Sequence, residues 1–199
     1  MDRPAAAELR QTLRRQRRAL ATAVQGGHAR AVARWLMAHP KLQRARRVGL
    51  YLAVDGELAL EPLRRRLLAA GILPLLPVLG TQTLAFRPWR QGSAMRKNRY
   101  GIAEPLTGPT IPVDALDVLL LPLTACDRRG NRLGMGAGWY DRTLARCSQQ
   151  GRCPWNVGVA HALQRVPQLE PAPWDVPLDA LVTEQGLTDF SRRIPWPTG

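Results

Sequence analysis

Asp117-Val118-Leu119-Leu120-Leu121-Pro122-Leu123-Thr124-Ala125-Cys126-Asp127 is the stretch whose reading decides the fold. Residues 118–121 are apolar without a break and stop at Pro122, so no polar alternation marks a solvent-facing side. A strand of that kind is buried on both faces, which requires a sheet with helices above and below it. Directly after it comes Arg128-Arg129-Gly130-Asn131-Arg132-Leu133-Gly134-Met135-Gly136-Ala137-Gly138-Trp139-Tyr140-Asp141-Arg142, which runs into a helical pattern over 140–147. A buried strand, a glycine-rich connection and a helix form the repeating unit of an α/β protein.

Outward from this unit the alternation continues. Residues 5–20 set Leu9, Leu13 and Leu20 on one stripe and Arg10, Arg14 and Arg17 on another, a helical period with a basic face. A second helix is predicted over 28–38 and a buried strand over 48–53, broken by Asp55-Gly56. Residues 60–70 are helical and stop at Gly71. The strand over 72–77 carries Pro74 and Pro77, which assign it a short or edge position. Residues 84–89 form a further strand, and 156–160 and 180–183 are read as the last two. The expected fold is α/β, a three-layer αβα arrangement with a mostly parallel central sheet, in which ligands lie beyond the carboxyl ends of the strands.

The 199 residues, 45% of them apolar, suit a single domain over 1–199, with a late loop at 171–177 and a flexible tail at 194–199. No internal repeat points to a solenoid. The net charge of +14, from 29 Lys and Arg against 15 Asp and Glu, attracts polyanions wherever the basic groups converge. The arginines are spread along the chain, however, and a general bias toward Arg accounts for that charge. Cys126, Cys147 and Cys153 form no CxxC pair and are read as small apolar fillers in a reducing compartment. No apolar start resembles a signal peptide, and no segment approaches the roughly 20 apolar residues of a membrane span. A cytoplasmic monomer without membrane or specific nucleic-acid partners is expected.

The chemistry concentrates in residues 127–142. Glycines at 134, 136 and 138 let the backbone bring its N–H groups close to an anion, and the following helix adds the positive end of its dipole. That dipole is worth only about 0.3–1 kcal/mol per charge, so guanidinium groups or a metal must neutralise most of a triphosphate. Arg132 stands just upstream. Asp141 would repel a bare phosphate but suits Mg²⁺, which prefers carboxylate, water and phosphate oxygens. The spacing is neither a Walker A loop nor a GxGxxG fingerprint, and a tight strand-to-helix connection would use the same glycines.

The string RLGMGAGWYDR at 132–142 resembles the signature loop of the 5-formyltetrahydrofolate cyclo-ligases. The resemblance extends in order through LRQTLRRQRRAL (9–20), LYLAVDGEL (50–58), GIAEP (101–105), DVLLLPLTACD (117–127), VGVAHALQ (157–164) and WDVPLDALVTE (174–184). It implies an enzyme that uses ATP and Mg²⁺ to convert 5-formyltetrahydrofolate into 5,10-methenyltetrahydrofolate, ADP and phosphate. The same resemblance implies that the formyl oxygen would be phosphorylated and that N10 would then close the ring.

Carried over residue by residue, the resemblance places Arg10, Arg132, Leu133, Gly134, Met135, Gly136, Ala137, Gly138, Trp139 and Tyr140 at ATP. Leu52, Glu57 and residues Met135, Gly136, Ala137, Gly138 and Trp139 would lie at the folate. Asp141 and Asp175 would hold magnesium, with Arg132 and Asp141 as the catalytic pair. Trp139 stands where the family has Tyr or Phe and keeps an aromatic face for a flat heterocycle. Ala6 stands at the family's lysine; Arg3, Arg14 or Arg17 would replace that contact or else form a solvated basic face. Leu60 stands where Thr is common. Glu104 belongs to a motif without an assigned role, and His161 is read as a structural histidine without metal partners.

Two rival classes make different demands. A nucleic-acid-binding protein built on the basic helix would bind with steep salt dependence, yet that helix lacks interleaved aromatics. A sugar-phosphate isomerase or acyl-carrier transferase of similar architecture would need no ATP.

Overall fold

A computed structural model describes residues 3–90, 92–149 and 151–190; the tail expected at 194–199 lies outside them. The chain runs α1 (Arg3–Arg18), α2 (Thr22–Ala38), α3 (Pro40–Gln43), β1 (Arg47–Gly49), α4 (Glu61–Ala69), β2 (Leu73–Leu79) and β3 (Leu84–Pro88). It continues through β4 (Met95–Lys97), β5 (Ala103–Pro105), β6 (Val118–Pro122), β7 (Ala125–Cys126) and β8 (Arg132–Leu133). It ends with α5 (Trp139–Gln149), β9 (Trp155–Val159), β10 (Ala180–Thr183) and β11 (Gly186–Asp189).

Seven strands form one sheet in the order β11-β10-β9-β6-β1-β2-β3. The five central strands are parallel; β3 and β11 close the edges antiparallel. The 118–121 run pairs on both sides and splits its side chains between two cores. Val118 and Leu120 pack with α2 and α4 through Val32, Leu36, Leu63 and Leu67. Leu119 and Leu121 pack with α5 through Leu144 and Cys147. This is the three-layer arrangement expected from the sequence.

Two strand assignments need correction. The strand carrying Pro74 and Pro77 is interior, paired with β1 and β3. Pro74 sits in β2 one residue beyond the last β2–β3 pair, Leu75 with Pro88, and its carbonyl accepts the Trp89 N–H. Pro77 faces Phe86, whose N–H and carbonyl are both spent on Ile111, so the missing proline donor breaks no rung there. The strand over 180–183 is not the last one. β11 follows as an antiparallel partner that is only half-buried, so the short run 186–189 lacks an apolar signal. The second helix also begins earlier than expected, at Thr22. Cys126 and Cys147 are buried as expected, but Cys153 is exposed. Among the described residues, no helix is long and apolar enough to cross a membrane.

The winding reverses between β1 and β6. From β1 the sheet grows through β2 and β3 on one side, and from β6 through β9 and β10 on the other. Such a switch point opens a crevice at the carboxyl ends of its two strands. The loops that leave those ends are residues 50–60 and 123–138, the two stretches the sequence marked for chemistry.

Candidate active site

Helix α1 lies over this crevice and fastens both loops. Arg10 donates from Nε to the carbonyl of Gly134 at 2.9 Å. Arg17 is fully buried; it donates to the Asp55 carbonyl at 2.9 Å, to Asp55 Oδ2 at 3.2 Å and to the Leu123 carbonyl at 3.2 Å. Arg14 reaches Asp55 Oδ2 at 2.5 Å, and Arg18 reaches Oδ1 at 3.3 Å. The stripe that could have been a solvated basic face is therefore directed onto protein acceptors. Leu13 of the same helix packs on Ala125 and Leu169, with Leu9 and Leu133 beside them.

The turn under α1 is shaped by Asp55 and Gly56, both at positive φ. A Cβ at Gly56 would stand 3.1 Å from the Arg18 backbone, so only glycine lets the turn lie against the helix. Burial raises the Asp55 carboxyl, but the Arg14 hydrogen bond and the charges of Arg14, Arg17 and Arg18 outweigh it and hold the group below its usual range.

Glu57 follows at 6% exposure. Its Oε2 accepts the Val54 N–H at 3.1 Å, while Oε1 has no hydrogen-bond partner among the described residues and lies 3.6 Å from the Arg17 guanidinium. Burial pushes this carboxyl up to about 7. A buried acceptor without a donor fits a ligand that brings N–H groups. A cavity of about 410 Å³ adjoins the turn, lined among others by Tyr51, Leu52, Val54, Leu60, Trp89 and Ile102.

The glycine loop forms the other wall. Asp127, buried, shapes its approach: Oδ1 accepts the N–H groups of Arg129 and Asn131, and Oδ2 those of Asn131 Nδ2 and Leu169. Sequence reasoning passed over this residue, although an Asp three positions before Gly130 is a turn signal. Beyond it, the N–H groups of Gly134, Met135, Gly136 and Ala137 meet no acceptor among the described residues. A Cβ at Gly134 or Gly136 would meet nothing within 4 Å, so the loop is open on that side. Gly138 has φ +67, and a Cβ there would stand 2.8 Å from the Arg142 guanidinium, which donates to the Ala137 carbonyl at 3.1 Å.

Trp139 opens α5 as part of the core, 9% exposed, donating its indole N–H to the Tyr100 hydroxyl at 3.1 Å. The guanidinium groups of Arg142 and Arg99 lie 4.9 and 5.3 Å from its ring centre. Tyr140 is half-buried beside the same core, and Met135 is half exposed.

Arg132 and Asp141 form an ion pair, and Arg132 also donates to the Val176 carbonyl. The strand-helix unit is thereby tied to the segment holding Asp175, whose Oδ2 accepts the Ala172 N–H at 2.9 Å. Burial raises the Asp141 carboxyl, Arg132 opposes this, and the charge of nearby Asp175 adds to the rise. A carboxylate whose charge is disfavoured by a second one nearby suits a divalent cation, and the open loop amides suit phosphate oxygens. Glu104 is instead structural: buried, it takes the Leu79 N–H at 3.1 Å and Arg96 at 2.9 Å, tying the β4-β5 hairpin to β2.

The fold and its loops have clear relatives. The sequence profile of the 5-formyltetrahydrofolate cyclo-ligase family matches residues 2–184. The 5-formyltetrahydrofolate cyclo-ligase of Escherichia coli K12 is 39% identical over 183 residues, covering 89% of this chain and 100% of the relative. That of Haemophilus influenzae is 39% identical over 146 residues, 70% of this chain and 77% of the relative. The NMR structure of Aquifex aeolicus 5,10-methenyltetrahydrofolate synthetase superposes with a TM-score of 0.81 at 27% identity, covering 97% of this chain and 96% of the other. With a profile match over most of its length and a relative aligned from end to end, the chain belongs to the 5-formyltetrahydrofolate cyclo-ligase family.

Proposed function

We propose that this chain catalyses the ATP-dependent cyclisation of 5-formyltetrahydrofolate to 5,10-methenyltetrahydrofolate, with release of ADP and phosphate, through phosphorylation of the formyl oxygen. The observation that carries this reading is the pairing of two loops across the switch point. One bears unpaired backbone donors at 134–137, the other the unpaired acceptor of Glu57, and α1 is fastened to both.

When bound, magnesium ATP supplies the phosphoryl group that turns a poor leaving oxygen into phosphate. The chain's task is alignment and charge neutralisation, which account for most of the catalysis of phosphoryl transfer. The amides of 134–137 and the N-terminus of α5 orient the phosphates, and Arg10 braces that loop through Gly134. Asp141 and Asp175 would hold the magnesium, with Arg132 fixing the rotamer of Asp141. Glu57 accepts N–H groups from the pterin edge, and Leu52 gives the folate an apolar wall. Trp139 keeps the loop's end in place from within the core. No side-chain nucleophile is required. The reading takes the protein to act as a cytoplasmic monomer.

The test is to mix purified protein with 5-formyltetrahydrofolate, ATP and Mg²⁺ and follow the methenyl chromophore and ADP together. One ADP per methenyl product is expected. Methenyl formation without ATP, or ADP release that ignores the folate, would overturn the proposal.

A further inference from the structure

His28 on α2, His161 just after β9 and Glu184 just after β10 turn their ligand atoms to one point, all within 4.8 Å of one another. The two Nδ1 atoms are 2.9 Å apart, and His28 Nδ1 is 3.7 Å from Glu184 Oε2. We propose that these three side chains form a binding site for a divalent transition-metal ion, with Zn²⁺ as the best match. The proposal stands independently of the folate reading.

His161 is fully buried, and its Nε2 faces the Gly56 carbonyl at 3.2 Å. A carbonyl only accepts, so Nε2 carries the hydrogen and the Nδ1 lone pair points at His28. One ring nitrogen donating to a backbone carbonyl while the other aims inward is the way metal-ligating histidines are held. Glu184 is also fixed, since its two oxygens share the Ala162 N–H at 3.0 and 3.3 Å, which leaves lone pairs for a cation. The contact is met either by a proton on His28 Nδ1 donated to the His161 lone pair or by a cation held between the rings, and the carboxylate turned to the same point is what favours a divalent ion.

The distances suit zinc. Bonds of about 2.0–2.2 Å to nitrogen and oxygen place tetrahedral ligand atoms roughly 3.3 Å apart. The observed 2.9 and 3.7 Å of the two pairs that involve His28 bracket that spacing, and the third pair, like the others, lies within 4.8 Å and closes to it when the ion binds. His28 and Glu184 are 21% and 18% exposed, so a small rotation of His28 and an entry path for the ion are both available, with water as fourth ligand. Imidazole donors select zinc, copper, nickel or iron, whereas magnesium prefers an all-oxygen shell. Through Gly56, the bound ion would brace the turn that carries Glu57.

The test uses the full chain stripped by chelator, titrated with ZnCl₂ in excess Mg²⁺ and separately with CoCl₂. His28→Ala removes the more accessible histidine, Glu184→Gln keeps the shape of the third ligand, and Cys153→Ser controls for the exposed thiol. The expected result is one zinc per chain, unaffected by Mg²⁺ or Cys153→Ser, with a raised Tm. His28→Ala should weaken binding by at least the roughly 100-fold that losing an outer partner can cost. Glu184→Gln should weaken it too, and the visible absorption of bound Co²⁺ should vanish in both variants. Absence of stoichiometric uptake, uptake that His28→Ala leaves unchanged, or uptake that Cys153→Ser abolishes would overturn the site. A His28-dependent Tm with no zinc uptake would assign the pair to a shared proton and overturn it equally.

Discussion

Arg17, with no solvent exposure, donates to both the backbone carbonyl and the carboxylate of Asp55, at 2.9 and 3.2 Å. A helix residue thus holds the turn after β1 from 38 positions away, and a third bond to Leu123 joins it to the loop after β6. The crevice at the switch point therefore depends on a buried cation for its shape.

Arg17→Met should destabilise the fold by about 3–5 kcal/mol, because it leaves Asp55 and Glu57 short of their buried partner. Arg14→Met, at a side chain 38% exposed, should cost about 1 kcal/mol or less. Urea denaturation of the two variants checks this, and equal losses would contradict the special place of Arg17.

Glu57 gives stability a pH dependence of definite sign. Its carboxyl is raised from 4.5 to about 7, so between those values the folded chain holds a proton that the unfolded chain has released. The stabilisation is full below pH 4.5 and is lost as pH rises through about 7, a fall on the order of 3 kcal/mol. Glu57→Gln should flatten the slope of Tm against pH over that window. The ionised form is the better acceptor for pterin N–H groups, so the KM for folate should fall as pH rises through the same range.

Arg10→Ala removes the charged donor beneath Gly134, and such hydrogen bonds contribute about 1.5–3 kcal/mol. The KM for ATP should rise on the order of tenfold or more, with the folate KM little changed. An effect confined to folate would show that Arg10 does not serve the loop.

Asp141→Asn keeps the shape of the side chain while removing the charge offered to magnesium. Because a Lewis-acid metal supplies several kcal/mol of transition-state stabilisation, kcat should fall by roughly 100-fold or more. Raised Mg²⁺ should recover part of it. Wild-type kcat at saturating magnesium ATP would remove Asp141 from the site.

Much of this arrangement was legible in the chain. The unbroken apolar run 118–121 marks a doubly covered strand, and the alternating glycines mark the open loop, because both signals are local. What escaped is non-local. Pro74 and Pro77 read as edge residues, since sequence does not show that their missing donors fall where the neighbouring strands end or turn elsewhere. The arginine stripe of α1 looks like a solvated face until Asp55 is brought beneath it. His161 looks solitary because its partners lie 133 positions before it and 23 after it, at no motif spacing. The fold brings these groups together from helices and strands that are distant in sequence.

The most direct measurement follows the backbone amides of the glycine loop by NMR while MgATP is added. The amide resonances of Gly134, Met135, Gly136 and Ala137 should shift in a saturable way, with Arg10→Ala moving the curve to higher nucleotide concentration. Saturable nucleotide binding that leaves those four amides unmoved would show that the phosphates sit elsewhere.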